Sequence, residues 1–342
     1  MEAYHGGAFE DLATAPPRCN EDLSWSAAMI RLSKLSETEE LYQPTPSYIG
    51  EVQTDGMTEA WRNKITVWFD QLAESFKMST ETLSVAANYL DRYLSVESCG
   101  SLKFQLASVA SIFLASKVEE ARPFKTADFV TLSDGIFSAA DLRLMELELL
   151  CTLKWHLHPP TFHAFANLLV VLLDKREVDL ELVAQRALRF AESTRLHAEF
   201  IKYPPSMIAV ASVMCALKQL QVRADVVARW MHLVNQCHLS YASRPDAARQ
   251  VAECGLKLIH LEGGAGLCLV HGNNAAGTHQ LSSCDAEVAK ATTDGVGDEA
   301  LNADRKQAGT PTDVMDIDQI EQFNQKYGVV LPVYAVHHAA KC

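Results

Sequence analysis

A short stretch that occurs twice limits the folds open to this chain. VASIFLASK at 109–117 returns as VASVMCALK at 210–218, an offset of 101 residues. Val109/Val210, Ala110/Ala211, Ser111/Ser212, Ala115/Ala216 and Lys117/Lys218 coincide. Both copies are rich in Ala and Ser, and small side chains let neighbouring helices approach on several sides. This composition suits the central helix of a bundle. Two related helical bundles of about 100 residues each follow, a period far too long for a solenoid. Coincidence between two Ala-rich helices is the other reading.

The surrounding pattern is helical throughout 58–255. Trp61, Ile65, Trp68, Phe69, Leu72 and Phe76 recur at helical spacing, with Thr58 placed to cap. Leu83, Ala86, Ala87, Leu90, Tyr93 and Leu94 mark a second helix, and a third covers about 103–118. Ser138 and Asp141 form a capping-box pattern before LRLMELELL. Pro159 and Pro160 end the first set. A second set covers about 161–174, 177–196 and 205–221, then two shorter helices to about 258. No period-two alternation is sustained, so the expected class is all-α. The expected units are an acidic arm over 1–55 with one helix at about 26–41, bundles over 56–157 and 158–258, and a mostly disordered tail over 259–342. Within that tail the apolar run VVLPVYAV (329–336) has no account in this scheme.

Composition narrows function. The net charge of −13 opposes a nucleic-acid surface, which needs a basic face. Nine cysteines without a C-x-x-C pair argue against a disulfide framework or zinc site and for a reducing compartment. The first residues lack the pattern of a signal peptide, and no apolar run approaches the ~20 residues of a membrane span. No phosphate-binding loop, dinucleotide fingerprint, zinc-protease motif or nucleophile elbow occurs. His156, His158, His337 and His338 read as solvated, as do Glu119, Glu120, Glu146 and Glu148. The chain is therefore expected not to be an enzyme and to need no cofactor or metal.

Residues 61–173 resemble a cyclin box. WRNKITVW (61–68), NYLDRYL (88–94), KFQLASVASIFLASKVEE (103–120) and LMELELLCTLKW (144–155) match that family in order and spacing. FIKYPPSMIAVASV (200–213) resembles the second-fold signature of D-type cyclins, and TPTDVMDID (310–318) resembles their phosphodegron end. The resemblance implies two tandem five-helix cyclin folds and a regulatory subunit. Such a subunit binds and activates a cyclin-dependent kinase of the G1 class at the G1/S transition, promoting phosphorylation of retinoblastoma-type substrates. A cyclin-fold transcription scaffold that activates no kinase is the alternative.

The resemblance also assigns residues. It pairs Arg62 with Asp91, joining the first helix to the second. It gives kinase binding to Lys117, Val118 and Glu146, and a substrate-docking groove to Ile65, Trp68, Phe104 and Gln105. Trp61, Lys64 and Gln71 depart from the usual groove residues. The arm's Pro17–Glu21 stretch keeps the Cys and Glu of a retinoblastoma-binding motif but lacks its Leu. Thr310 followed by Pro311 would be a phosphorylation site read by a ubiquitin ligase. Kinase inhibitors are further implied partners, in nucleus and cytoplasm, with no nucleic acid and no membrane.

Overall fold

Helix ends along the chain are set by local chemistry. The computed structural model describes residues 21–133 and 136–265. Ahead of the first bundle come α1 (Glu21–Glu39) and the single turn α2 (Tyr48–Glu51). The first bundle holds α3 (Glu59–Phe76), α4 (Thr80–Leu94), α5 (Ser101–Glu119), α6 (Thr126–Leu132) and α7 (Ala139–Thr152). The second holds α8 (Phe162–Val171), α9 (Leu180–Ser193), α10 (Pro205–Gln219), α11 (Ala224–Gln236) and α12 (Ala247–Ala265). No strand occurs among the described residues.

Ser138 and Asp141 form a reciprocal capping box at the start of α7. Ser79, Thr161 and Asp179 cap α4, α8 and α9 through their side chains. Thr58 occupies the N-cap position of α3, but its side chain makes no capping bond. Pro205 opens α10, where a missing N–H costs nothing.

The repeated stretches lie in α5 and α10, the two helices most enclosed by their own bundles. Ala107, Ala110 and Ala115 of α5, and Ala209, Ala211 and Ala216 of α10, are buried. The buried serines of α5 turn their hydroxyls back onto the helix: Ser108 to the Phe104 carbonyl and Ser111 to that of Ala107, each at 2.7 Å. Each bundle closes around its own apolar core. Trp68, Phe69, Tyr89 and Phe113 fill the first, and Phe165, Phe190, Met207 and Trp230 fill the second.

α1 belongs to the second core, where Ala28 and Leu32 are buried, although its chain position precedes the first bundle. Its far end carries Glu39, which is 2% exposed. The carboxylate accepts from Ser206 N–H at 2.6 Å, Ser206 Oγ at 2.7 Å and Ser240 Oγ at 2.6 Å. Burial raises the Glu39 pKa, against the lowering by its serine donors. A raised folded-state pKa gives stability that is present at low pH and lost as pH rises through it. Urea unfolding at several pH values should therefore show the wild type gaining stability relative to Glu39→Gln as pH falls from neutral toward 4.5. A difference that is flat with pH would reject this ionisation.

Three boundaries differ from the sequence expectation. α1 starts at Glu21 rather than near Ser26. The short helix α6 carries too few periodic positions to be seen in sequence. α12 continues beyond 258 to Ala265 because Leu258 is buried and Glu262 pairs with Arg189 at 3.1 Å. Thr310, the run at 329–336 and Pro17–Asn20 lie outside the described residues.

Candidate functional site: a protein-binding face over a buried ion-pair joint

Arg62 on α3 and Asp91 on α4 meet in the interior. Arg62 Nε and Nη2 donate to the two Asp91 carboxylate oxygens at 2.9 and 2.8 Å. Their side chains are 4% and 8% exposed. Tyr48 Oη donates to Asp91 Oδ1 at 2.9 Å. Arg62 Nη1 donates to the Arg195 carbonyl of the second bundle at 2.9 Å. One guanidinium thus satisfies a carboxylate and a neighbouring bundle's backbone. Burial opposes its charge, yet Asp91 holds the Arg62 pKa above its ordinary value. Burial and then the Asp91 charge push the Tyr48 phenol well up. The Arg195 side chain pairs with Asp70 on α3. At the other end of α4, Thr161 Oγ1 donates to Glu81 at 2.7 Å, and His163 lies between Thr80 and Glu192 at 3.2 and 3.3 Å. The two bundles are therefore fixed to each other by directional polar contacts at both ends of α4.

On the surface of the first bundle, Lys117 at the end of α5 donates to Glu146 of α7 at 2.5 Å. Its ammonium also sits 4.0 Å from the Phe113 ring centroid. The lysine side chain is 39% exposed and the glutamate 15%, so the pair is reachable. Val118 beside it is half-buried. Glu148 points elsewhere: it accepts from Tyr93 Oη at 2.7 Å and pairs with Lys103 at 3.0 Å. Glu120 accepts from Ser79 N–H and Thr82 Oγ1, which tethers the start of α4.

Sequence reasoning missed an exposed apolar stripe on α7. Leu144, Leu147 and Cys151 follow one stripe of α7 and are exposed, the two leucines at 67% and 54%. Beyond them Trp155 is 65% exposed. It follows Lys154 in left-handed backbone, φ 53° and 60°, which non-glycine residues adopt only under constraint. The constraint is visible. Arg92 of α4 donates to the Leu153 and His156 carbonyls at 3.1 and 2.9 Å, and Tyr89 Oη donates to the Leu157 carbonyl. Exposed large apolar side chains of this kind suit a protein partner. In sequence they looked like ordinary helix residues, because periodicity does not tell which apolar positions lack a neighbour.

Ile65, Trp68 and Phe104 are core residues, 3%, 1% and 0% exposed, and only Gln105 of that group reaches the surface in part. Their burial assigns this apolar area to the first core in place of the docking groove expected for them. Trp61 packs over Phe104 with ring centroids 5.8 Å apart.

Two five-helix bundles, joined by the bond of the ion-paired Arg62 to the Arg195 carbonyl, carry an exposed charge pair and exposed apolar side chains on the first bundle. The cyclin N-terminal domain model matches residues 31–158, and the cyclin C-terminal domain model matches residues 160–261. The chain belongs to the cyclin family. It is 31% identical over 223 residues to the G1/S-specific cyclin-D1 of Danio rerio, covering 65% of this chain and 76% of that protein. It is 38% identical over 179 residues to Cyclin-A1 of Xenopus laevis, covering 52% of this chain and 41% of that protein. Among solved structures, a viral cyclin from herpesvirus saimiri superposes with TM-score 0.54 at 19% identity, over 68% of this chain and 99% of that one. That likeness concerns the fold.

Proposed function

We propose that this chain is a D-type cyclin that binds a cyclin-dependent kinase of the G1 class and activates it at the G1/S transition. The observation that carries the reading is the partly exposed Lys117–Glu146 pair, with half-buried Val118 beside it. On binding, the pair opens. Lys117 donates to backbone carbonyls of the kinase's regulatory helix region, Glu146 accepts from its N–H groups, and Val118 covers the contact. A kinase needs its Lys–Glu ion pair and activation loop in place. The face binds the arrangement that meets this need more tightly than the other, and that difference shifts the population.

The phosphoryl transfer belongs to the kinase, with retinoblastoma-type proteins as the proposed substrates. Kinase inhibitors are proposed as further partners, and the nucleus and cytoplasm as the site of action. The test is direct. Purified chain added to purified G1-class kinases should stimulate phosphorylation of a retinoblastoma-type peptide. Lys117→Ala/Glu146→Ala, with unchanged helical circular dichroism, should not. Full stimulation by that variant overturns the assignment.

Thr310 extends the proposal to turnover. Phosphorylation of a Thr-Pro site adds about −1.5 to −2 charges and a handle for an Arg-lined receptor on a ubiquitin ligase. Thr310→Ala should lengthen the half-life in a cycloheximide chase, and an unaltered half-life rejects the site.

A further inference from the structure

An apolar groove on the second bundle lies away from the proposed kinase face. Its floor is Leu172, Leu173, Val226 and Trp230, all buried, and its walls are Trp25 of α1 and Leu233 of α11. It encloses about 480 Å³, within the ~300–1,000 Å³ usual for pockets that take a ligand or an anchoring side chain. Asp174, Glu177, Arg229 and His232 lie on its rim. Arg229 is already committed to Glu177 and Asp225.

We propose that the groove is covered by this chain's own residues 329–336, VVLPVYAV. These are the one sustained apolar run among the residues that follow α12. Pro332 is incompatible with a regular helix through the run, and in an extended segment Leu331 and Val333 share one face, the one that would meet the floor. Lys326 and Lys341 bracket it, and a lysine suits the rim carboxylate of Asp174. The 63 residues at 266–328 that separate it from the described end of α12 reach any point on the second bundle, since a chain spans up to ~3.3 Å per residue. A tethered segment also meets its groove as an intramolecular event, at an effective concentration set by the length of the tether. This docking is independent of the kinase reading.

Hydrogen exchange on the full-length protein tests it. A chain ending at Lys326 should exchange about tenfold faster at residues 226–236 than the full chain, the ratio expected for a groove about nine-tenths occupied. Leu331→Asp/Val333→Asp in the full chain should reproduce the effect without touching either core. So should Ala228→Glu, at an exposed position on the rim. A synthetic peptide of residues 326–341 added at millimolar concentration to the shortened chain should restore protection. Equal exchange in the full and shortened chains overturns the proposal. So does protection that grows with protein concentration alongside a dimer in light scattering, because a second copy would then be the occupant.

Discussion

Arg62→Ala lowers the unfolding free energy by about 3–5 kcal/mol, the cost of stranding a buried carboxylate without its counter-ion. Asp91 would keep only the Tyr48 hydroxyl, and the Arg195 carbonyl would lose its donor. An exposed ion pair would cost no more than about 1 kcal/mol on the same change, so the size of the loss reports the burial. Urea titration followed by circular dichroism measures it. Arg62→Met/Asp91→Leu separates charge stranding from packing. Removing both charges together should recover most of the loss, since apolar replacement of a buried pair is often neutral. A double variant as unstable as Arg62→Ala would show that the hydrogen bond to the second bundle, rather than the pair, carries the stability.

The second large effect concerns the proposed partner. Lys117 and Glu146 would each form charge-assisted bonds with kinase backbone worth about 1.5–3 kcal/mol. Opening their mutual bond costs little, because a partly exposed pair is worth about 0–1 kcal/mol. Lys117→Ala/Glu146→Ala should therefore weaken kinase affinity by about 3–5 kcal/mol, or roughly 10²–10³-fold or more. Calorimetry or competition binding measures this. Reversal of the pair, Lys117→Glu/Glu146→Lys, is a sharper control. It keeps the internal ion pair and the fold but presents acceptor where donor is required, so it should bind no better than the alanine variant. Binding at wild-type strength by the reversed protein would move the grip elsewhere.

Much of the architecture was legible in the residues. The α7 capping box follows from Ser138 and Asp141, and the two central helices follow from their matched Ala and Ser positions. The pairing of Asp91 with Arg62 came from the family resemblance rather than from any local pattern. What sequence could not supply was the neighbour. Ile65, Trp68 and Phe104 carry the same pattern whether they line a groove or fill a core, and only three-dimensional packing separates the two. Leu144 and Leu147 pose the reverse problem, since they look like core residues yet face outward. The outward hold on Trp155 depends on Arg92 and Tyr89, more than 60 residues away, which no local window contains.

The crossed path of the leading segment bears on how the molecule is made. α1 rests on α8 and delivers Glu39 to Ser206 and Ser240, while Tyr48, only nine residues on, is built into the first bundle. Domains emerging from the ribosome generally fold as units, the N-terminal one first. The first bundle can then close around Tyr48 while α1 waits for a receptor that has yet to be translated. The earliest helix synthesised would be among the last to settle, and its seating would mark the arrival of the finished second bundle.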